Sequence, residues 1–425
     1  MTGLLVLFVT AFVDMVGLAM IVPLLPYYAT EMGATATTVG LLVAAFSAAQ
    51  LAVAPAWGQL SDRYGRRPAI LAGLVLSAVA YVIFAFAGSL PLLFLSRLVQ
   101  GAGGGTIGVV QAYVADACPP EERTKSLGWL SAVTSLGAVV GPAFGSAFIA
   151  LGGPHAPGLA AAVFSLLVAG FALRFLPEAR QLRMTASHAI PSRTTGREAI
   201  ARVLSHWHDP ASRLIWIYTV SIGAFYGTIQ TVPLLLTARL GVTESSVGYF
   251  VMYLGGMGVV VRTLLLGRMV DRMGESRLSR LGIVVLGAGL GATGLSHGWP
   301  VLGIGFTLMP LGTAFLFPCV TGLLSRVVPG NERGLHMGVQ HTFGGISRVV
   351  FPIAAGALMD RFGVGVPFWL AGILVLLTLP LAGTLGDSPT PEPARAVADR
   401  LLSAADITAE MPIDPEIDSP IERAK

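Results

Sequence analysis

The sequence predicts an all-α membrane protein of twelve transmembrane helices, arranged as two six-helix bundles in a pseudo-twofold arrangement. Three observations carry this. Hydrophobic residues make up 54% of the chain and charged ones only 12%, where a soluble domain carries about 25% charge. Apolar stretches of about 20 residues, enough to span a hydrocarbon core ~30 Å thick, recur twelve times. The second half of the chain also repeats the first in register. With 52 glycines and 27 prolines, the helices are suited to close backbone packing and bending in lipid rather than in water.

In order along the chain, the spans are expected near 3–28, 37–60, 68–88, 90–117, 124–151, 156–176, 212–238, 245–267, 279–297, 299–327, 334–359 and 363–386. The first is too long for a signal peptide, lacks a basic leader and contains Pro23 and Pro26, so it reads as a retained span. Residues 1–176 and 212–386 thus form two six-helix bundles. Between them, 177–211 is a linker in which Ile200, Val203, Leu204 and Trp207 recur at helical spacing, opposite Arg197 and Arg202. That pattern predicts an interfacial helix lying on the membrane. The stretch 387–425, rich in proline and acidic residues, reads as a disordered tail.

Arg63, Arg66, Arg67, Arg123, Lys125, Arg268, Arg272, Arg277, Arg280, Arg326 and Arg333 fall on one side of this topology, against Arg239 and Arg361 on the other. By the positive-inside rule both termini are cytoplasmic, in a bacterial-type inner membrane. The basic balance serves anionic lipid and calls for no nucleic acid. Cys118 and Cys319 read as free thiols.

The repeat is specific. Val22-Pro23-Leu24-Leu25 returns as Val232-Pro233-Leu234-Leu235, with Gly17 and Gly227 six residues before each proline. Gly58, Asp62, Arg63 and Gly65 return as Gly267, Asp271, Arg272 and Gly274. Glu122-Arg123, Gly128 and Pro142 match Glu332-Arg333, Gly338 and Pro352. A third occurrence, Gly356 to Gly363 around Asp360-Arg361, falls at the opposite end of a span and reads as accidental.

The loop Gly58-Gln-Leu-Ser-Asp62-Arg63-Tyr-Gly65-Arg66-Arg67-Pro68 resembles the signature loop of the major facilitator superfamily. Leu93 to Gly103, around Arg97, is similar to that family's fourth-helix motif. Gly137, Gly141, Pro142 and Gly145 resemble the motif of its proton-coupled exporters, with Ser146 a departure. Gly17 to Pro26 resembles the first-helix motif of its twelve-helix drug:proton antiporters. The resemblance implies a major facilitator fold and a cytoplasmic gate in which Asp62 meets the amino end of the eleventh span and Arg66 pairs with Asp116. The competing reading makes these arginines topology anchors only. In the second copy Glu275 replaces Arg66, which puts its gate role in doubt.

Asp14 lies near the middle of the first span, where a permanent charge is costly. It is either the proton-coupling group, working with Arg97, or a structural partner of Arg97 or Arg348. Arg348 occupies the middle of the eleventh span, where the repeat has Ala138; it reads as a counter-ion to Asp14 or an anchor for substrate anions. Gln50, Gln111, Tyr226 and Gln230 are expected to line a largely apolar cavity with Phe315. The histidines lack metal-ligand spacing, and neither a P-loop nor a nucleophile with a base is present, so no cofactor and no enzyme activity are expected. What the resemblance implies is a monomeric exporter of small hydrophobic molecules in exchange for protons. Efflux of a sugar or other metabolite, and a transport-silent membrane sensor, are the alternatives.

Overall fold

The computed structural model describes residues 2–104, 106–178, 196–329 and 332–383, and among these every regular element is a helix. The first span is α1 (Thr2–Ile21) and α2 (Leu25–Glu31), broken where Pro23 cannot continue the hydrogen-bond ladder. Then follow α3 (Ala36–Tyr64) and α4 (Arg66–Ala85). The fourth span is split into α5 (Leu90–Gly104) and α6 (Ile107–Ala117), at its run of glycines. The first half closes with α7 (Pro120–Gly152) and α8 (Ala156–Phe175).

A linker helix, α9 (Gly196–Ser205), leads into the second half. There α10 (Pro210–Ile229) and α11 (Val232–Leu240) meet at a 43° bend beside Pro233. After α12 (Glu244–Leu264), α13 (Leu266–Met273), α14 (Glu275–Leu295), α15 (Trp299–Val327) and α16 (Arg333–Phe362), the last span is α17 (Val366–Leu376) with α18 (Leu379–Gly383). Eleven helical stretches are long and apolar enough to cross a membrane, and the bent pair makes twelve. The expected span count therefore holds, with boundaries displaced by a few residues.

The two halves meet along α3 with α16 and along α7 with α12. Each contact uses the same device. Gly40 takes the carbonyl of Pro352 against its bare Cα, and Gly248 takes that of Pro142. Each proline sits inside its helix, and the facing glycine lets that backbone come in where any side chain would collide. The repeated prolines thus make symmetry-related seams.

Both seams lie towards the end of the molecule opposite its arginine-rich loops. There Leu24, Ala36 and Ile149 share one buried cluster with Val232, Leu236, Val242 and Met359 of the other half. The Tyr27 hydroxyl donates to the Val242 carbonyl at 3.0 Å. Ser146 Oγ donates to the Glu244 carbonyl at 2.7 Å and accepts from the Gly248 amide at 2.9 Å. At the basic end, by contrast, Gly58, Gly128, Gly267, Gly334 and Gly338 face open space. These hydrogen bonds between the halves lie at the end opposite the basic loops.

The linker helix departs from expectation. Ala199 and Val203 are buried against α10 and α16, and the Trp216 indole donates to the Val203 carbonyl at 3.2 Å. Leu204 and Trp207 remain exposed. The apolar residues expected on one lipid-facing stripe are therefore divided, because part of the helix docks on the second half. Residues 179–195 and the 387–425 tail lie outside the described residues.

Candidate functional site

Between the halves is a cavity of about 290 Å³, lined by α1 through Met15 and Leu18, by Val22 in the break that follows it, by α3 through Val43, Phe46, Ser47 and Gln50, and by Tyr226, Gln230, Arg97, Ile107, Arg348 and Pro352. Towards the basic end a second cavity of about 240 Å³ shares Ser47, Gln50, Ile107 and Arg348 with it, and adds Gly104, Gly108, His341 and Gly345. Gln50 donates to the Gly104 carbonyl at 3.1 Å, which ties α3 to the break in the fourth span. Of the expected cavity residues, Gln50, Tyr226, Gln230 and Arg348 meet here.

Two others do not. Gln111 is exposed on α6 and lines neither cavity. Phe315 is buried with Val261, Leu278, Ala314 and Cys319, because that face of α15 turns into its own bundle. Helix direction was the missing information: a 3.6-residue period fixes which residues share a face, not which neighbour the face meets.

Arg97 is only 2% exposed. It donates to the Gln100 side chain and lies over the Phe46 ring at 4.8 Å. Arg348 lies over the Tyr226 ring at 5.1 Å. The Nε of each guanidinium is buried without a hydrogen-bond partner. Asp14 is not their counter-ion, and among the described residues it forms no ion pair. On α1, Met15 and Leu18 face the cavity while Gly17 packs on the Tyr81 ring. At 100° per residue Asp14 falls at the seam between those faces. Tyr81, fully buried, has Asp14, Gln100 and Arg97 as its electrostatic neighbours. A polar file thus runs from α1 through α4 to the cavity wall on α5, and Tyr81 and Gln100 are members that the motifs did not reveal.

The exporter-like glycines position that file. Gly137 packs on the Phe12 carbonyl, Gly141 on Val16 and Ala19, and Gly145 on Met20, so α7 rides along the backbone of the Asp14 helix. Pro142 serves the seam with Gly248, and Ser146, the departure from the motif, supplies two hydrogen bonds across it.

At the basic end the expected Arg66–Asp116 pair is present at 3.1 Å. Arg66 also pairs with Asp62 at 2.9 Å and donates to Ser61 Oγ at 2.6 Å. Gly65 turns at φ +109°, where Glu178 closes against it and accepts from the Arg66 amide at 3.0 Å. Arg67 donates to the Leu173 carbonyl and Arg63 lies beside the Tyr64 ring. The expected meeting of Asp62 with the amino end of α16 is not among the contacts of the described residues, which stop at 329 and resume at 332. With Gly58 facing open space, Asp62 turns to Arg66 of its own half.

The second copy is not idle. Glu275, in place of Arg66, pairs at 2.9 Å with Arg326, which stands where the first half has Asp116. The pair is kept with its charges exchanged. The third occurrence, read as accidental, also has a contact of its own: Asp360 accepts from the Ala36 and Thr37 amides, both at 2.8 Å, and from the Thr37 hydroxyl at 2.6 Å. A carboxylate from α16 thus caps α3 of the other half, where the helix dipole favours negative charge.

Comparison with known proteins agrees with this architecture. The chain is 29% identical over 391 residues to Multidrug resistance protein 2 of Bacillus subtilis (strain 168), covering 89% of this chain and 94% of that one. It is 25% identical over 372 residues to the class B Tetracycline resistance protein of Escherichia coli, covering 87% and 90%. The crystal structure of the nucleoside transporter NupG superposes with a TM-score of 0.73 at 13% identity, over 91% of this chain and 100% of that one, a likeness of fold. Residues 7–277 and 217–409 match the profile of the Major Facilitator Superfamily, to which this chain, a multi-pass membrane transporter and not an enzyme, belongs.

Proposed function

We propose that the protein is a secondary active exporter that carries small, largely hydrophobic molecules out of the cell in exchange for protons, by alternating access. The basic end is then cytoplasmic, and the halves stand parted there and closed on the far side. The observation that carries the reading is the cavity between the halves. Its walls are mostly aliphatic and aromatic, and the polar file from Arg97 through Tyr81 to Asp14 borders it. A carboxyl group at mid-membrane without an ion-pair partner is costly to keep charged, so its proton occupancy favours one face of the cycle over the other. Relatives named for multidrug and tetracycline resistance support the export of drug-like compounds. The apolar walls favour this over efflux of a sugar.

The test uses inverted membrane vesicles, acidified inside and carrying an internal pH dye. Adding tetracycline or lipophilic dyes should raise the internal pH as protons leave, and Asp14→Asn should abolish the response. Unchanged proton release in Asp14→Asn would take Asp14 out of the coupling role, and none with any exported compound would end the antiport reading.

A further inference from the structure

We propose, building on that reading, that the central cavity selects organic anions: molecules with a compact apolar body and one carboxylate-like charge. Two guanidinium groups face the cavity, Arg97 from the first half and Arg348 from the second, and no Asp or Glu is among its lining residues. Both leave Nε buried without a partner. Arg97 is almost wholly buried, and what it meets is the Gln100 amide and the Phe46 ring, neither of which cancels its charge. The Tyr226 ring does the same for Arg348.

A desolvated cation without a counter-ion is costly, and the fork of N–H donors on a guanidinium matches a carboxylate. The break in the fourth span acts in the same sense. It places the amino end of α6 at the cavity, with Ile107 and Gly108 in the walls, and that end of a helix favours negative charge. A cationic cargo would be a third positive charge in a site with no carboxylate to receive it. Asp14 lies at the edge of the cavity face, is not among the lining residues and has Tyr81 as its neighbour, so it remains available for a proton while the arginines hold the cargo.

The experiment measures binding to the purified full-length protein by calorimetry, with 1-naphthylacetate and protonated 1-naphthylmethylamine as probes of like shape and opposite charge. The anion should bind at least tenfold more tightly. Arg348→Gln should erase the preference, and Arg348→Lys should retain most of it. A cation that binds equally or better, a preference unchanged in Arg348→Gln, or failure of both probes to bind overturns the proposal. So does sodium chloride displacing the anion no less well than unlabelled naphthylacetate, since an inorganic ion would then suffice. Binding is read without a proton gradient. Proton release driven by the cation would refute anion selectivity while leaving antiport standing.

Discussion

Replacing Asp360 with alanine removes three contacts that exist only while the end opposite the basic loops is closed: those to the Ala36 and Thr37 amides and to the Thr37 hydroxyl. Losing an amino-terminal cap costs about 1 kcal/mol, and a hydroxyl hydrogen bond about as much again. Asp360 is exposed, so solvent recovers part of this, and a net of about 1.5 kcal/mol is reasonable. That corresponds to roughly a tenfold shift towards the conformation open at this end. Spin labels at Leu151 and Leu295, both exposed at span ends on that side and one in each half, would report it by pulsed dipolar spectroscopy. The long-distance population should rise about tenfold in Asp360→Ala, with Asp360→Asn in between because it keeps one acceptor. An unchanged distance distribution, under conditions where the unaltered protein shows both states, would refute the cap as a latch.

Gly248→Val should lower the melting temperature or force that same end open, since even a methyl there overlaps the Pro142 carbonyl and overpacking costs about 1–3 kcal/mol; Gly58→Ala, facing open space, should melt as the unaltered protein does in this conformation. Glu275→Arg should destabilise the basic end by about 1 kcal/mol by setting two guanidinium groups together, and adding Arg326→Asp should restore the melt by reproducing the polarity of the first half. Transport should be electrogenic for an anionic cargo: one anion leaving and one proton entering move two positive equivalents inward, worth about 4.6 kcal/mol per 100 mV at 2.3 kcal/mol per charge. Currents on solid-supported membranes loaded with the protein check this, and an anion that moves without current would contradict the stoichiometry.

Much of this was legible because lipid is a strict solvent. Every span declared itself by length and apolarity, since an uncompensated backbone polar group does not survive there. The Arg66–Asp116 pair was legible through the resemblance of the 58–68 loop to the superfamily's signature loop. The sequence left three things dark, each for a physical reason. The Gln111 and Phe315 misplacements came from helix rotation, which periodicity does not fix relative to neighbours. Tyr81 and Gln100 look like ordinary helix polar residues until α4 and α5 are packed beside α1. Asp360 was dismissed because its motif register was wrong for the basic end, although a carboxylate at a helix end needs only a facing amino terminus, which α3 supplies from 324 residues away.

The duplication also separates scaffold from chemistry. Where the halves agree, as in Pro142 with Pro352 and Gly40 with Gly248, the shared residues make the seams along which the halves meet. Where they disagree, the residues are charged and sit at the centre: Asp14 is matched by the buried Ala224, and Arg348 by Ala138. On the proposed exchange with protons, an acid kept in one half alone would give the cycle a single titrating centre, with proton occupancy biasing one bundle rather than both. In the proposed anion site, Arg348 on α16 and Arg97 on α5 would give the cargo one contact from each half. An anion held by both stabilises their approach more than either arginine does alone. The carboxylate of Asp14, by contrast, belongs wholly to the first bundle. If the proposed antiport holds, proton and cargo would act on the same opening without sharing a binding group, and would compete through conformation and not through contact.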